Sequence, residues 1–495
     1  MSTAAAPVPY GRRLTQLATK NPHGTALVFA ARVGHHQTFS WINLESRANQ
    51  IARLMERSGV ADGDVVVVAL GNTPDQVAAT FAGWKVGASV LPLRKDLPRW
   101  ERERILGIGV FRLVVADWTD TDLPVLSRED LEGSRALDTS PIPGHRVPKH
   151  SVMIGTGGST GTPKIVASMH PGLHVENEYP SKLMPMPDDV ALGASPLYHG
   201  NGTFSCFSPL LEGAQVVLME SFDAARAVEL IEQYHITTAV LVPTMLQRIA
   251  RLDDVSPRQF ESLRCVVYGA AVLPEWAARA WLQLVKPERF YITYNGSEQL
   301  GLVMCTGAEW LERPGTVGIP VGADVLILDS EHRPLGVGEI GEIWLRSHGE
   351  RATEYVGMPT PEPILGGYLT FGDLGWLDDD GYLYIADRRQ DMIISGGVNV
   401  YPAEVESALS EHPDVADVVV IGLPDPEWGH RVHAIVEPRL ATDPPSEENL
   451  RAFCKARLTA PKVPKSFEVI AEMPRTSAGK VNRSRLVEER IEVTP

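Results

Sequence analysis

The chain has 495 residues, 44% of them hydrophobic, and a formal net charge of −16 because 62 acidic residues outnumber 46 lysines and arginines. At roughly 100 to 200 residues per domain, this length predicts about three folding units with enough apolar side chains for sizeable cores. The acidic balance argues against nucleic acids and acidic membranes as partners, so anionic ligands must be held by local donors.

The lengths of the apolar runs and the spacing of the cysteines exclude further classes of protein. Residues 1–12 contain no apolar segment after a basic start, and runs such as 65–70 are far too short to cross a bilayer. The four cysteines are widely spaced and form no Cys-x-x-Cys pair, which argues against a zinc site or a disulfide framework. We therefore expect a cytoplasmic protein without a membrane span, whose cysteines are buried as small hydrophobic residues.

The first part of the chain alternates short apolar runs with amphipathic helical patterns. The predicted elements are, in chain order, a helix from 44 to about 59, a strand at 65–70, a helix at 75–85, strands at 89–93 and 113–116, a helix at 223–233, strands at 239–242 and 265–268, and a helix at 275–284. This alternation predicts an α/β fold with layers of parallel strands and helices.

The pattern changes toward the C-terminus. Short strands separated by glycine turns run from about 316 to 385. A separate α+β unit then follows, with helices at 402–410 and 447–458 and strands at 418–421, 432–436 and 466–470. We therefore predict a large N-terminal domain, 1–388, of layered α/β subdomains plus a small β-barrel-like part, and a small C-terminal α+β domain, 389–495.

The most informative local feature is a glycine- and hydroxyl-rich loop, which reads Thr-Gly-Gly-Ser-Thr-Gly-Thr-Pro-Lys over 156–164. Glycines let consecutive backbone N–H groups point into one concave anion site, and hydroxyls and a lysine add further donors. The loop follows an apolar segment, 152–154, and is expected at the carboxyl end of that strand, the usual ligand edge of an open α/β sheet. The predicted polyphosphate ligands are Thr156, Gly157, Gly158, Ser159, Thr160, Gly161 and Lys164.

Three other interpretations of this loop remain. A nucleoside-triphosphatase P-loop needs Gly-Lys-Ser/Thr in direct succession, whereas two residues separate Gly161 from Lys164. A Gly-x-Ser-x-Gly nucleophile elbow is also matched, at 157–161, but it needs a helix directly after the serine, which Gly161 and Pro163 oppose. An ordinary surface loop is the third interpretation, since glycine and serine concentrate in loops.

Read together with four later segments, the loop resembles the adenylate-forming superfamily of acyl-CoA synthetases, peptide-synthetase adenylation domains and luciferases. The segments are Tyr-Asn-Gly-Ser-Glu at 294–298, Phe-Gly-Asp at 371–373, Asp-Arg-Arg-Gln-Asp at 387–391 running on to the glycines at 396–397 and Pro-Ala-Glu-Val-Glu at 402–406, and Pro-Arg-Thr-Ser-Ala-Gly-Lys at 474–480. Five matches in the same order span nearly the whole chain. The resemblance favours the acyl-CoA synthetase branch, an ATP-dependent acid:CoA ligase.

The resemblance implies a role for each matching residue. A carboxylate attacks the α-phosphate of ATP, and the resulting acyl-adenylate is then cleaved by the thiol of coenzyme A. The implied catalytic residues are Lys480, which bridges the carboxylate and the α-phosphate, Ser297, an α-phosphate donor, and Glu298, the Mg²⁺ ligand. The implied nucleotide contacts are Gly269, Ala270, Tyr294 against adenine, and Asp373 and Arg388 at the ribose.

Family members rotate the small domain between the two steps, so the resemblance implies a mobile domain. Gly396 and Gly397 would then line the tunnel for the pantetheine arm of coenzyme A, because residues without side chains leave room for a narrow thiol arm. The implied hinge is Gln390, where relatives often have Asp or Lys. Since no carrier-protein domain follows Pro495, coenzyme A is the expected acceptor.

A segment running from 196 to 202 matches the border of the carboxylate pocket in CoA ligases, which assigns Tyr198, His199, Gly200 and Gly202 to the acyl pocket. No aspartate that could hold an α-ammonium group is evident near these segments, so a carboxylic acid without an α-amino group is favoured. The small residues at 200, 202 and 269–271 predict a roomy pocket for a bulky, aromatic or long apolar acid, although packing glycines explain them equally well.

Two departures from the family pattern keep other functions open. Ile165 stands where relatives usually have glycine and would resist an unusual backbone geometry near the phosphates, and Asn295-Gly296 replaces a common Gly-x. The chain could accordingly perform only the thioester-forming half-reaction on an adenylate made elsewhere. A luciferase-like oxygenase and a non-catalytic adenylate binder are further alternatives, and the sequence leaves a homodimer open.

Overall fold

The structure, a computed structural model, describes residues 6–157, 163–175, 183–475 and 481–491. Its helices are α1 (Tyr10–Lys20), α2 (Trp41–Arg57), α3 (Pro74–Lys85), α4 (Arg99–Leu106), α5 (Arg128–Gly133), α6 (Gly200–Glu212), α7 (Ala224–Tyr234), α8 (Pro243–Ala250), α9 (Glu275–Leu284), α10 (Gly307–Glu312), α11 (Pro402–Ser410), α12 (Glu447–Lys455) and α13 (Arg483–Ile491).

Its strands are β1 (Val8–Pro9), β2 (Thr25–Ala30), β3 (Gln37–Ser40), β4 (Val65–Ala69), β5 (Ser89–Pro92), β6 (Leu113–Ala116), β7 (Val125–Leu126), β8 (Met153–Gly157), β9 (Pro163–Ser168), β10 (Leu173–His174), β11 (Val190–Gly193), β12 (Gln215–Met219), β13 (Thr238–Leu241), β14 (Cys265–Tyr268), β15 (Phe290–Tyr294), β16 (Leu302–Thr306), β17 (Thr316–Val321), β18 (Ala323–Leu328), β19 (Gly341–Ser347), β20 (Thr353–Tyr355), β21 (Leu369–Leu377), β22 (Leu383–Arg388), β23 (Ile393–Ser395), β24 (Val398–Val400), β25 (Val415–Asp425), β26 (Gly429–Pro438) and β27 (Ser466–Val469).

Two parallel sheets form the layered part of the fold. The smaller sheet has the order β5-β4-β6-β7, and the larger sheet includes the parallel run β2-β12-β11-β13-β14-β15. Helices α1, α2, α3 and α6 share one apolar core between the two sheets, and α7, α8 and α9 cover the other face of the larger sheet. This is the layered α/β arrangement that the alternating pattern predicts.

Antiparallel strands extend the larger sheet beyond β15. The order continues through β16, β17, β22, β21 and β19 to β18, and these strands enclose a core of their own that includes Val303, Ile343 and Leu383. The glycine-punctuated segment from about 316 to 385 therefore supplies the expected second, all-β part of the large domain. It brings residues of β15, β21 and β22 together.

The glycine-rich loop lies in a different sheet from the one we expected. β8 and β9 form an antiparallel hairpin, and β20 pairs with β9 to give a separate three-stranded sheet. The strands on either side of residues 158–162 thus pair with each other and do not belong to the open parallel sheet whose ligand edge we expected. A strand in place of a helix at this point also excludes the P-loop and the nucleophile elbow.

The C-terminal unit is a mixed sheet with the order β24-β23-β26-β25, to which β27 adds alongside β26. Helices α11 and α12 cover one face and α13 the other. The strands predicted at 418–421 and 432–436 are only the apolar centres of β25 and β26. The two strands pair over ten residues, because backbone hydrogen bonds continue past the apolar stretch into polar ends.

Two expectations from composition can be compared with the structure. Within the described part of the chain, no helix is both long and apolar enough to cross a bilayer. All four cysteines are buried with free thiols, as predicted, and burial raises the pKa of the Cys454 thiol to about 11.

Candidate active site

The β8–β9 hairpin presents the glycine-rich loop. Thr156 lies opposite Lys164, and Gly157 lies opposite Pro163, at the last paired positions before the tip. Gly158, Ser159, Thr160 and Gly161 lie outside the described residues. The ammonium of Lys164 lies 5.2 Å from the centroid of the Tyr355 ring, a distance at which a cation is attracted to an aromatic face.

Ile165 does not occupy an unusual backbone position. It pairs with Gly155 in regular antiparallel geometry and is fully buried in a core with Met153 and Ala167. A β-branched residue is favoured at such a position. The expected conflict between Ile165 and the phosphate-binding backbone is therefore not seen, because the strand begins two residues before Ile165.

Three polar side chains from β15, β21 and β22 of the extended sheet meet. Tyr294 donates a 2.9 Å hydrogen bond from its hydroxyl to Oδ2 of Asp373, and Nε of Arg388 lies 3.5 Å from Oδ1 of the same carboxylate. Asp373 and Arg388 are directly paired in register. Burial raises the pKa of both Tyr294 and Asp373, so the tyrosine stays protonated as a donor.

The turn after Tyr294 is shaped by close packing. A Cβ added at Gly296 would lie 2.5 Å from Cε1 of Phe371, whose ring meets the Tyr294 ring edge-on at 5.7 Å. A side chain at 296 would displace this aromatic pair. The glycine of the Asn295-Gly296 pair is therefore required by the fold, and this departure from the family pattern has a packing explanation.

Glu298 lies in the same turn as Ser297, beside a small cavity that is also lined by Arg351, Tyr355 and Thr360. Its Oε1 accepts a 3.0 Å hydrogen bond from the Tyr355 hydroxyl. Among the described residues, Oε2 has no protein hydrogen-bond partner. A half-buried carboxylate with one oxygen directed by a donor and the other available suits a hard cation such as Mg²⁺.

The candidate acyl segment begins α6. His199 precedes the first helical residue, Gly200, and its ring lies 4.4 Å from that of Tyr198. The backbone here is held by Asn72, a buried residue that the sequence analysis did not single out. Its amide nitrogen donates to the Ser195 carbonyl oxygen at 3.1 Å and its amide oxygen accepts from Leu197 N at 2.9 Å. Its position two residues before α3 gave it the appearance of an ordinary turn residue.

The small residues assigned to the acyl and nucleotide pockets differ in the space around them and in their backbone conformation. A Cβ at Gly200 would meet nothing within 4 Å, whereas at Gly202 it would lie 2.0 Å from the Pro196 carbonyl oxygen and at Gly269 2.7 Å from Oγ1 of Thr293. Gly202 and Gly269 are therefore packing glycines. Ala270 has a φ of +72°, in the left-handed region that residues with a side chain rarely adopt.

A small apolar cavity lies one helical turn beyond Gly200, between α6 and the larger sheet. Its lining includes Phe204 and Ser205 of α6, Val240 of β13, and Cys265 and Val267 of β14. The cavity lies toward the beginnings of β13 and β14, at the opposite ends of these strands from Ala270, and α6 runs back from it to His199.

The candidate residues of the C-terminal unit lie on a separate hairpin. Gly396 and Gly397 form the two-residue turn between β23 and β24, with φ of +58° and +79°, and both are exposed. Gln390 is exposed in the turn that follows β22. Lys480 lies outside the described residues.

Arg251 and Trp276 of the large domain contact the C-terminal unit. The guanidinium of Arg251 donates to the carbonyl oxygens of Ser410 and Ala416, and the indole of Trp276 donates a 3.2 Å hydrogen bond to the Ser410 hydroxyl. Arg251 also lies over the Trp276 ring, 4.8 Å from its centroid. Burial lowers the pKa of Arg251. This is a small polar contact of the kind that can break when domains move.

Comparison with known proteins agrees with this geometry. Residues 14–352 match the model of the AMP-binding enzyme family, and 404–480 match that of the AMP-binding enzyme C-terminal domain. The chain is 32% identical to a fatty acid–[acyl-carrier-protein] ligase of Streptomyces coeruleorubidus, with 91% of each chain covered. It is also 32% identical to a feruloyl-CoA synthase of Amycolatopsis, with 94% of this chain and 95% of the relative covered.

A solved structure shows the same fold. The o-succinylbenzoate coenzyme A synthetase of Bacillus subtilis, in complex with ATP and magnesium ion, superposes with a TM-score of 0.81 at 26% identity, covering 97% of this chain and 99% of that one. The family models, the relatives and the fold agree on a large N-terminal and a small C-terminal domain. The chain therefore belongs to the family of AMP-binding, adenylate-forming enzymes and is an ATP-dependent, AMP-forming acid–thiol ligase.

Proposed function

We propose that this protein joins a bulky, aromatic or long apolar carboxylic acid to coenzyme A. In the first step a carboxylate oxygen bonds to the α-phosphorus of ATP, and the bond from that phosphorus to pyrophosphate breaks. In the second step the sulfur of coenzyme A, having lost its proton, bonds to the acyl carbon, and AMP leaves with the electron pair of the broken bond. The products are an acyl-CoA thioester, AMP and pyrophosphate.

The nucleotide is proposed to lie between the β8–β9 hairpin and the Tyr294–Asp373–Arg388 cluster. The loop from Thr156 to Lys164 would hold the phosphates, and Gly269, Ala270 and Tyr294 would border the adenine. Asp373 would accept from the ribose hydroxyls and Arg388 would donate to them. The distances within this cluster support the proposal, because three strands bring its members together.

Glu298 is proposed as the Mg²⁺ ligand and Ser297 as a donor to the α-phosphate. A bound Mg²⁺ would neutralise charge on the phosphates of ATP. Lys480 is proposed to bridge the carboxylate and the α-phosphate during attack, a point cation placed where charge shifts. The half-buried carboxylate of Glu298, with one oxygen oriented and the other available, supports the metal assignment.

The domain division at 388/389, with Gln390 as the hinge, is part of the proposal. The exposure of Gly396 and Gly397 supports it, because these residues could line a tunnel only if the small domain reoriented against the large one. A cytoplasmic location is supported by the four free cysteines. A homodimer stays a prediction that sedimentation would test.

The acyl group is proposed to enter past Tyr198, His199 and Gly200, with Gly202 packing the helix beneath. The apolar lining of the cavity beside α6 supports an acid without a second charge near its distal end. Feruloyl-CoA synthase and the fatty acid ligase among the relatives act on acids of this kind.

One observation carries the proposal: Glu298, four residues after Tyr294 of the Tyr294–Asp373 pair, accepts a hydrogen bond from Tyr355 of β20, the strand paired with the β8–β9 hairpin. The test is a screen of carboxylic acids with ATP, Mg²⁺ and coenzyme A, followed by mass spectrometry, with a second arm that starts from presynthesised acyl-adenylates. Acid-dependent release of AMP and pyrophosphate with acyl-CoA formation is expected. If the protein converted presynthesised adenylates but no acid together with ATP, the half-reaction alternative would replace the proposed two-step reaction.

The same screen should test a second thiol acceptor, because one relative is a fatty acid–[acyl-carrier-protein] ligase. Coenzyme A and a carrier protein loaded with phosphopantetheine present the same thiol arm. If the thioester formed on the carrier protein but not on coenzyme A, the proposed adenylation chemistry would stand and the carrier protein would replace coenzyme A as the acceptor.

A further inference from the structure

Glu298 is held at two points by one three-residue strand. Oγ1 of Thr353 donates a 2.7 Å hydrogen bond to the Glu298 carbonyl oxygen, and the hydroxyl of Tyr355 donates a 3.0 Å hydrogen bond to Oε1 of the Glu298 side chain. Both donors lie on β20. The backbone and the carboxylate of Glu298 are therefore fixed by the same element.

β20 is also paired with the β8–β9 hairpin, which presents the glycine-rich loop. Tyr355 lies opposite Val166 and Thr353 opposite Ser168, so β20 runs antiparallel to β9 along its whole length. β9 begins with Pro163 and Lys164, directly after the glycine-rich tip. The ammonium of Lys164 lies 5.2 Å from the centroid of the Tyr355 ring, and the hydroxyl of Tyr355 donates to Glu298. The Tyr355 side chain thus connects the β8–β9 hairpin to the carboxylate of Glu298.

A hydroxyl donor in this position has a definite physical effect. It occupies one lone pair of Oε1 and fixes the plane of the carboxylate, which directs Oε2 toward the cavity. Hydrogen bonds of this type to a ligating group typically change metal affinity about 10-fold to 100-fold. The ring contact adds an electrostatic attraction to the ammonium of Lys164.

We propose that Tyr355 is the positioning residue for the metal-binding carboxylate of Glu298 and acts only in the adenylation half-reaction; this inference rests on the proposed function. Because the thioester step needs no metal-bound pyrophosphate, it should not depend on the Tyr355 hydroxyl. A tyrosine that merely packs the hairpin would instead affect both half-reactions through the fold.

The test is Tyr355→Phe, which keeps the ring beside Lys164 and removes only the hydroxyl. We expect the affinity for Mn²⁺ in the presence of ATP, measured by electron paramagnetic resonance of free Mn²⁺, to fall about 10-fold. The Mg²⁺ concentration for half-maximal pyrophosphate release should rise by a similar factor, with the rate recovering at saturating Mg²⁺. Thioester formation from a presynthesised adenylate should stay at the wild-type rate.

Tyr382→Phe is the matched control. Its hydroxyl lies 3.4 Å from Oε1 of Glu309, a carboxylate that caps α10 and has no place in the proposed site. The control should leave Mn²⁺ affinity and both half-reactions unchanged.

Two results would overturn the inference: unchanged Mn²⁺ and Mg²⁺ dependence in Tyr355→Phe, or equal loss in both half-reactions together with a lower melting temperature. Failure of the proposed function is separate and would be seen in the wild-type protein, as no acid-dependent pyrophosphate release at any Mg²⁺ concentration.

Discussion

Two antiparallel hairpins carry the two halves of the proposed reaction, and they are built in opposite ways. The β8–β9 hairpin of the large domain is backed by β20 on one side, and Met153, Ile165 and Ala167 are buried beneath it. The β23–β24 hairpin of the small domain has an exposed turn, and Ile394 next to that turn is 52% exposed.

The difference agrees with the role that we propose for each hairpin. Phosphate donors stabilise developing charge best when they are fixed before the reaction, which favours a hairpin packed into a core. The wall of a thiol tunnel is needed only in the second step, so it can stand in solvent until the small domain turns. Changes on the two hairpins should therefore separate the half-reactions.

The largest effect is expected from Lys480→Ala. Loss of a cation aimed at the reacting phosphate should slow adenylation by about 10²- to 10³-fold. The thioester step from a presynthesised adenylate should remain nearly intact, as stopped-flow assays of each half-reaction can show. Lys462→Ala, which removes a lysine of the same unit paired with Glu404, should change neither rate. An equal loss in both steps after Lys480→Ala would contradict the separation.

Gly396→Ala should give the opposite pattern. The added Cβ would lie 2.6 Å from Cε3 of Trp428, at a φ of +58° that costs an alanine roughly 1–2 kcal/mol. We expect the thioester step to slow by about tenfold with adenylation unchanged. Gly381→Ala is the control, because its φ of +81° is also positive but its Cβ would meet nothing within 4 Å and it lies outside the proposed tunnel. If both variants behaved alike, backbone strain and not the Trp428 contact would be responsible.

A smaller effect is expected where the domains touch. Arg251→Ala removes donors to the Ser410 and Ala416 carbonyl oxygens, and an unsatisfied pair of this kind costs about 1–3 kcal/mol. The reoriented small domain should become several-fold more populated, which tryptic cleavage after Arg388 or Arg389 would report. Arg248→Ala, on the exposed side of α8, should leave cleavage unchanged. Equal cleavage of Arg251→Ala and wild type would show that the contact does not hold the domains.

The smallest effect concerns pH at the start of the small domain. Burial raises the pKa of Asp387 to about 6, although its carboxylate accepts from Arg388 N at 2.7 Å and Ala403 N at 2.8 Å. A raised folded-state pKa gives a stabilising contribution that is complete below the unfolded pKa near 4 and is lost as pH rises through 6. Urea unfolding of wild type should therefore lose about 1 kcal/mol more than Asp387→Asn between pH 5 and pH 7. Parallel pH profiles would contradict this assignment.

Sequence patterns predicted the helices and strands of the layered part well because their signals are local. Helix 275–284 and strand 113–116 were recovered with their bounds, since an apolar face or a fully buried run is visible in a few consecutive residues. The long pairing of β25 with β26 was missed at its polar ends, where only the partner strand fixes the backbone.

For the site, the glycine-rich loop and the ordered motifs named the residue types, and the AMP-binding family followed from them. The sequence by itself determined the family, the α/β class and the set of chemical groups, because these depend on residue identity and short spacing. Only the tertiary structure decided that the strands on either side of the loop pair with each other, that Gly202 and Gly269 serve packing, and that Asn72 and Tyr355 support the site. Each of these facts is a contact between segments distant in the chain, and no local pattern encodes the distance between two such segments.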